Sequence, residues 1–276
     1  MDSQTGKQIL LINDIAGYGK VALSAMIPIL SHMGFHVYNL PTAVVSNTLD
    51  YGRFSILDTT GYMRDALKVW TELGFSFDAA TTGFIVSEEQ MMLIRGFCEE
   101  AARKGTRIFN DPIMGDDGRL YNGITPDTVA AMRGLVGVSE LTVPNYTEAC
   151  FLADVPYRAD GTTTDEMEML IGRLRGIGAR SVVVTSAFME GKKQVTGYDD
   201  MACEYFAIPY DEIPIRFPGT GDIFSSILFG SFLEGASLQA GTRRAMKAVR
   251  AMIERCAGLE DKYKGIPLES CLDLIG

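Results

Sequence analysis

Apolar runs of strand length alternate with amphipathic segments along most of this chain. Residues 8–13 and 181–185 are nearly continuous apolar runs, whereas residues 88–104 and 238–256 repeat apolar side chains at helical spacing. Near-continuous apolar strands are typical of parallel sheets whose two faces are both covered by helices. The pattern therefore predicts an α/β fold, a three-layer αβα sandwich with a mostly parallel central sheet.

The individual elements follow from the same pattern and from the glycines that interrupt it. The predicted strands are residues 8–13, 35–40, 44–45, 79–84, 107–110, 140–143 and 181–185, and the predicted helices are residues 21–33, 62–73, 88–104, 126–133, 145–152, 164–176, 223–233 and 238–256. Residues 194–198 and 203–208 alternate around two aspartates, which predicts an antiparallel hairpin at the sheet edge. Ligands of such sheets bind beyond the carboxyl ends of the strands, so the residues after each strand are the candidates for function.

Composition narrows the class of protein. The chain has 276 residues, 47% of them hydrophobic, which suits one large globular domain spanning residues 1–276. A net charge of −10 without any basic block excludes the electrostatic pattern of a nucleic-acid binder. No apolar stretch reaches membrane-spanning length and residues 1–7 lack the pattern of a signal peptide, so we expect a cytoplasmic protein with no membrane partner. Five scattered cysteines indicate reduced thiols, not a disulfide framework or a zinc site.

A glycine-rich motif, Gly219-Thr220-Gly221-Asp222, precedes the predicted helix at residues 223–233. Both glycines allow backbone angles that other residues avoid, and a helix N-terminus is partly positive, so the backbone N–H groups can converge on a phosphate. Asp222 has two interpretations. It is either a helix N-cap, for which aspartate is a preferred residue, or a general base that takes a proton from an attacking hydroxyl group.

A second glycine pattern follows the first predicted strand. Gly17, Gly19 and Ala22 match the spacing of dinucleotide-binding loops. Such loops also need an acidic residue at the end of the second strand, where residues 39–41 carry no carboxylate. Lys20 follows one glycine only, which excludes a Walker loop. The sequence therefore disfavours a dinucleotide site at this turn.

Oxygen-bearing side chains follow the fifth and sixth predicted strands. Asp111 and Asp116 lie after the fifth strand, where they form either a simple turn or contacts to a metal-bound nucleotide. Asn145 and Glu148 follow the sixth strand with the spacing of a helix capping box, which also places both side chains on one face as ligands for a hydrated Mg²⁺. An anion cradle, a base and oxygen ligands are together the groups that transfer a phosphoryl group to an alcohol.

Four segments resemble, in order and spacing, the pyridoxal (vitamin B6) kinases of the ribokinase-like superfamily. They are residues 110–116, 143–148, 184–186 and 219–222. The resemblance covers nearly the whole chain and implies a ribokinase-like fold and ATP-dependent phosphorylation of the 5′-hydroxymethyl group of a B6 vitamer in vitamin salvage. It also implies a homodimer that uses ATP and Mg²⁺, and it leaves the need for a monovalent cation open.

Position by position, the resemblance implies a role for each site residue. The base is Asp222, and the transferring phosphate is held by the backbone of Gly219, Thr220, Gly221 and Asp222. The magnesium-side residues, acting partly through water, are Asp111, Asn145 and Glu148. The ATP-contacting residues are Asp116, Tyr121, Thr185 and Ser186. The vitamin-side residues are Asn13, Asp14, Ser46, Asn47, Thr48 and Phe84.

The departures from the family pattern lie mainly on the vitamin side. Asn13 and Asp14 replace the usual Ser-His, Thr48 replaces a histidine, and Phe84 replaces a tyrosine. On the nucleotide side, Val143 replaces a threonine and removes one oxygen. The added acidity at Asp14 leads to the hypothesis that the preferred substrate is a cationic amine such as pyridoxamine, which equal turnover of the three B6 vitamers would remove.

Two alternatives remain open. Hydroxymethylpyrimidine-type and other small-alcohol kinases share the fold, but the pyrimidine kinases typically carry cysteine in place of the aspartate present here, which favours the B6 branch. The second alternative is a nucleotide- or vitamin-binding protein without turnover. Release of ADP across a panel of alcohols separates a B6 kinase from a pyrimidine or other small-alcohol kinase. Binding of ATP and vitamer without ADP release indicates a binding protein.

Overall fold

The computed structural model describes residues 6–121 and 123–276. The strands are β1 (Gln8–Tyr18), β2 (His36–Asn47), β3 (Ile56–Asp58), β4 (Ala79–Thr82), β5 (Arg107–Asn110), β6 (Gly115–Asp116), β7 (Arg119–Leu120), β8 (Leu141–Thr142), β9 (Ser181–Met189), β10 (Lys192–Asp199) and β11 (Glu204–Pro209). The helices are α1 (Leu23–His32), α2 (Thr60–Leu73), α3 (Glu88–Arg103), α4 (Pro126–Val136), α5 (Tyr146–Ala153), α6 (Thr164–Ile177), α7 (Thr220–Leu233) and α8 (Leu238–Cys256). Residues 1–5, which belong to the N-terminal segment without a signal-peptide pattern, lie outside the described residues.

Among the described residues, the first of two compact units comprises residues 6–81 and 213–276. Its strands run in the order β4-β1-β2-β3, with β2 parallel to β1 and β3 antiparallel to β2. The residues of β1 from Ile9 to Ile12 are all fully buried. Since successive strand residues point to opposite faces, both faces of β1 are covered. Helix α7 packs against both α1 and α8 in this unit.

The second unit comprises residues 82–212. Its strands run in the order β11-β10-β9-β8-β5, with β5, β8 and β9 parallel and β9, β10 and β11 antiparallel. Val182, Val183 and Val184 of β9 are all fully buried, so this strand is also covered on both faces. The predicted α/β class, with a mostly parallel sheet and an antiparallel hairpin at its edge, is confirmed. Within the described residues, no helix has the length and apolar character needed to cross a membrane.

Several predicted strand boundaries are wrong; strand β9, for example, does not end at Thr185 but continues to Met189. Strand β1 does not end at Asn13 but continues to Tyr18, which pairs with Asn47 of β2. The predicted strands at 35–40 and 44–45 are one strand, β2. Pro41 of β2 has no N–H to donate. It lies where the register of β1 and β2 shifts, and this irregularity allows a proline within the strand. The turn after β1 is consequently displaced, and the glycine pattern considered for a dinucleotide begins inside a strand.

Other elements agree with the prediction closely. The bounds of β5 and α8 are the predicted ones, and α3 ends one residue earlier than predicted. Strand β3 and the small hairpin β6–β7 were not predicted, because segments of two or three residues are too short to show a hydrophobic period.

Candidate active site

The Gly219–Asp222 motif forms the N-terminus of α7 in the first unit. Gly219 is the N-cap with φ of +83°, and a Cβ atom there would lie 2.4 Å from the backbone oxygen of Lys20, so only glycine fits. The first helical hydrogen bond runs from the Ile223 N–H to the Gly219 oxygen. The N–H groups of residues 220–222 therefore have no partner within the helix and form the positive end of α7.

Gly221 plays a different part from Gly219. It lies inside the first turn of α7, is absent from the positive-φ residues, and has no heavy atom within 4 Å of the position a Cβ would take. Both glycines allow unusual backbone angles, but only Gly219 of the two adopts one. At Gly221 the missing side chain leaves open space beside the N–H groups.

Asp222 is not the N-cap of α7, because Gly219 holds that position. The capping interpretation is therefore wrong. The Asp222 Oδ2 atom accepts a hydrogen bond of 2.8 Å from the Ala22 N–H, and the Asn13 side chain is a second partner. Burial raises the pKa of Asp222 to about 6, while both hydrogen bonds act to lower it. A carboxylate with a pKa slightly below neutrality is ionised at pH 7 and suited to accept a proton.

The turn that holds Asp222 was not identified from the sequence. Ala22, the N-cap of α1, has φ of +48° and ψ of −132°, a conformation rare for a residue with a side chain. The turn is fixed from the other side by a 2.7 Å hydrogen bond from the Lys20 N–H to the Lys264 oxygen. Gly265 lies against the same turn, since a Cβ there would be 2.8 Å from the Lys20 oxygen. Backbone strain of this kind carries no sequence signal.

Asn13 and Asp14 lie in the middle of β1. The Asn13 side chain is buried, and its Oδ1 atom accepts a 3.0 Å hydrogen bond from the Asp14 N–H. Burial, followed by repulsion from Asp222, raises the pKa of Asp14 to about 7. The first unit thus brings two carboxyl groups into electrostatic contact, Asp14 from β1 and Asp222 from α7.

The residues predicted to contact the vitamin at the end of β2 are engaged in hydrogen bonds within the first unit. The Ser46 hydroxyl donates to Asn47 Oδ1 at 2.6 Å, and the Asn47 amide donates to the backbone oxygens of Thr48 and Arg53. The buried Thr48 hydroxyl donates to the Tyr263 oxygen at 2.6 Å. These bonds fix the shape of the chain where β2 ends.

The residues predicted to lie on the magnesium side belong to the second unit. Asn145 and Glu148 form the predicted capping box of α5, in which Asn145 Oδ1 accepts from the Glu148 N–H and Glu148 Oε2 accepts from the Asn145 N–H. Glu148 is 3% exposed, and its Oε1 atom accepts from the Met114 N–H at 2.9 Å. Burial, followed by the charge of Asp111, raises the pKa of Glu148 well above its usual range.

The donor set of this region fits a hydrated cation. Across the described residues, no group of three or more His, Cys, Asp or Glu side chains is arranged to hold a metal ion. Both Glu148 oxygens already accept N–H groups, whereas Asp111 is half-buried. A cation would relieve the repulsion between Asp111 and Glu148, and Mg²⁺ usually keeps several waters and binds one or two carboxylates.

The remaining predicted site residues also belong to the second unit. Asp116 lies in β6 and Tyr121 follows β7, and both side chains are exposed. Thr185 and Ser186 lie in β9. Ser186 is exposed, has φ of +57° and is hydrogen bonded to the hydroxyl group of Tyr210. Phe84 is half-buried after β4. A serine with positive φ is uncommon and indicates a constrained backbone.

Comparison with known proteins supports the motif-based resemblance. The profile of the phosphomethylpyrimidine kinase family matches residues 23–266. A pyridoxine/pyridoxal/pyridoxamine kinase of Bordetella bronchiseptica is 30% identical over 262 residues, which cover 86% of this chain and 85% of the relative.

Solved structures agree with that match. A crystal structure of a candidate phosphomethylpyrimidine kinase from Bacteroides thetaiotaomicron has a TM-score of 0.93 and 36% identity, covering 99% of this chain and 94% of the other. A second crystal form of that protein contains pyridoxal. The pyridoxal kinase of Lactobacillus plantarum has a TM-score of 0.87 and 27% identity, covering 98% of this chain and 96% of the other.

Proposed function

Because the chain belongs to the phosphomethylpyrimidine kinase family, we propose that it is an ATP-dependent kinase of vitamin B6 vitamers. It transfers the γ-phosphoryl group of ATP to the 5′-hydroxymethyl group of pyridoxal, pyridoxine or pyridoxamine. The observation that carries this proposal is the Asp222 carboxyl group, whose pKa is raised to about 6 at the open N-terminus of α7. The Bordetella relative and the pyridoxal-containing Bacteroides structure support the choice of substrate.

The first unit supplies the proton acceptor and the anion cradle. Asp222 takes the proton of the hydroxymethyl group as its oxygen attacks phosphorus. The N–H groups of Thr220, Gly221 and Asp222 stabilise the negative charge on the transferring phosphoryl oxygens, because they are fixed in direction before the substrate arrives. The open space at Gly221 leaves room for those oxygens.

The second unit supplies the groups proposed for the metal-nucleotide. Asp111 would meet a hydrated Mg²⁺, with Asn145 and Glu148 acting through water and fixed charge. When bound, Mg²⁺ neutralises charge on the phosphates. The side chains proposed to contact ATP are Asp116, Tyr121, Thr185 and Ser186. A K⁺ titration at constant Mg²⁺ tests whether a monovalent cation is also required.

The proposal also covers the domain organisation, the oligomeric state and the cellular location of the protein. Both compact units belong to one kinase domain, an assignment supported by the span of the family profile from residue 23 to residue 266. We also propose a cytoplasmic homodimer. Exposed apolar side chains on β3 and α2, such as Leu57 and Leu73, favour self-association. Sedimentation equilibrium and cell fractionation test the dimer and the location.

Within the B6 vitamers, we propose that Asp14 favours an amine. Two neighbouring carboxyl groups, Asp14 and Asp222, repel each other, and the ammonium group of pyridoxamine relieves that repulsion. Asp14→Asn should lower kcat/KM for pyridoxamine several-fold relative to pyridoxine. An equal ranking of the vitamers by the wild-type and variant proteins contradicts this preference.

The test of the activity is ADP release across pyridoxal, pyridoxine, pyridoxamine and hydroxymethylpyrimidine. We expect the B6 vitamers to give the highest kcat/KM. Faster turnover of hydroxymethylpyrimidine would favour the pyrimidine-kinase alternative. Binding of ATP and vitamer without ADP release, unchanged by Asp222→Asn, would indicate a binding protein.

A further inference from the structure

We propose that Asn13 is a positioning residue for the base Asp222 and not the vitamin contact that the family resemblance implies. The inference rests on the proposed function, since Asp222 acts as a base only if the protein is a kinase. The Asn13 side chain is 2% exposed, which leaves almost none of its surface for a substrate. It is also hydrogen bonded to Asp222, from which it is separated by most of the chain.

The hydrogen bonds of Asn13 define which end of its amide faces the base. Its Oδ1 atom accepts the Asp14 N–H at 3.0 Å, so the NH₂ end is the donor. That end contacts Met26 Sδ at 3.4 Å and supplies the hydrogen bond to the Asp222 carboxylate, which can only accept. The family's usual serine at this position is shorter by one heavy atom and carries a single donor.

Two fixed donors therefore hold the Asp222 carboxylate, the Asn13 amide and the Ala22 N–H. Both favour the ionised form and oppose the effect of burial. The charged group that faces Asp222 from β1 is Asp14. The turn before α1 carries Lys20, whose ammonium pairs with Glu269. The Asn13 donor thus keeps Asp222 ionised and oriented beside a second carboxyl group.

The experiment compares Asn13→Leu, which keeps a similar volume without a donor, with Asn13→Ser, which restores the family's usual residue. Asn39→Ser is the matched control, since Asn39 is exposed on the neighbouring strand β2. We expect the acid limb of the kcat/KM profile to move up by about one to two pH units in Asn13→Leu, which has no donor, and by a smaller amount in Asn13→Ser, whose donor is shorter. The KM for the vitamer should stay within about twofold, and kcat should recover as the pH rises to 9. The control should match the wild-type protein.

A second readout does not depend on turnover. Carbon-13 NMR titration of the aspartate carboxyl groups should show the Asp222 midpoint moving upward in both Asn13 variants. A KM for the vitamer raised tenfold or more, with the acid limb and the Asp222 midpoint unchanged, would overturn the inference and make Asn13 a substrate contact. Absence of vitamer-dependent ADP release from the wild-type protein would overturn the proposed function instead, so the two failures are distinguishable.

Discussion

Asp222 of the first unit and Glu148 of the second are both carboxyl groups whose pKa is raised chiefly by burial, yet their surroundings differ. Glu148 is 3% exposed, and both of its oxygens accept backbone N–H groups. Asp222 is half-buried and stands in the first turn of α7 beside open space at Gly221. The comparison teaches that burial alone does not make a base. A carboxyl group enclosed by backbone donors acts as a fixed charge, whereas one left accessible can exchange a proton.

The phosphate side and the vitamin side of the proposed site also differ in how they are built. The proposed anion cradle consists of backbone N–H groups that follow Gly219, and the capping box of α5 joins the side chains of Asn145 and Glu148 to backbone N–H groups. The proposed vitamin side is made from side chains, among them Asp14 of β1. The family resemblance is strong in the first group and weak in the second. Backbone N–H groups can hold any phosphate, whereas side chains set the choice of alcohol, so we expect the departures to affect substrate specificity.

The largest effect should come from Asp222→Asn, which removes the proposed proton acceptor from the more accessible of the two carboxyl groups, Asp222 and Glu148. We expect kcat to fall by about 10²- to 10⁴-fold, the usual range for a lost general base, with binding of vitamer and ATP retained. ADP release and calorimetry measure the two quantities. Asp65→Asn, at an exposed position of α2, is the control and should match wild type. A kcat within about threefold of wild type would show that Asp222 is not the base.

Glu148→Gln tests the buried carboxyl group that backbone N–H donors enclose. We expect the Mg²⁺ concentration for half-maximal rate to rise by about 10- to 100-fold, as for other residues that orient a metal site through water. The KM for the vitamer should stay near the wild-type value, because the change concerns the metal-nucleotide side. A Mg²⁺ titration at saturating ATP gives the answer. Loss of vitamer binding with unchanged Mg²⁺ dependence would contradict the assignment of Glu148 to the metal side.

Gly219→Ala and Gly221→Ala form a matched pair within the cradle. Gly219→Ala should lower the free energy of unfolding by about 1–3 kcal/mol, since φ is +83° and the added methyl meets the Lys20 oxygen. Gly221→Ala should leave stability unchanged or raise it by up to about 1 kcal/mol, because the site is helical and open. Denaturant unfolding measures both. Equal destabilisation of the two variants would be inconsistent with this geometry.

The smallest effect concerns the stability contributed by Asp14. Folding raises the pKa of Asp14 from 3.8 to about 7, so its contribution to stability is full below pH 4 and is lost as the pH rises through 7. Asp14→Asn should therefore match wild type near pH 4 and exceed it at pH 8 by about 1–2 kcal/mol, a value reduced for partial exposure. Urea unfolding at the two pH values tests this. A difference that shrinks as pH rises contradicts the raised pKa.

The sequence predicted the elements with strong periodicity and the motifs with local chemistry. The bounds of α8 and the capping box of Asn145 and Glu148 need only residues close together in the chain. The role of Asp222 was left open, because a cap and a base are both plausible for an aspartate near a helix start. Its partner Ala22 is 200 residues away, and no local pattern reports such a contact.

Polar residues within strands explain the other differences. The apolar run of β1 is interrupted by Asn13, Asp14 and Gly17, so the sequence placed the end of the strand too early. Pro41 divided β2 in the prediction, although the shift in register accommodates it. The buried position of Asn13 could not be predicted either, since asparagine is mostly exposed and is buried here with hydrogen-bond partners.

The central claim is that this site phosphorylates the hydroxymethyl oxygen of a B6 vitamer, and the product shows it most directly. Protein, MgATP and pyridoxine are incubated, and the product is analysed by ³¹P NMR with coupling to protons. We predict one phosphorylated product, equimolar with ADP, whose phosphorus couples to the methylene protons at C5′. Phosphorus attached to the ring hydroxyl, or ADP formed without a phosphorylated vitamer, would contradict the account.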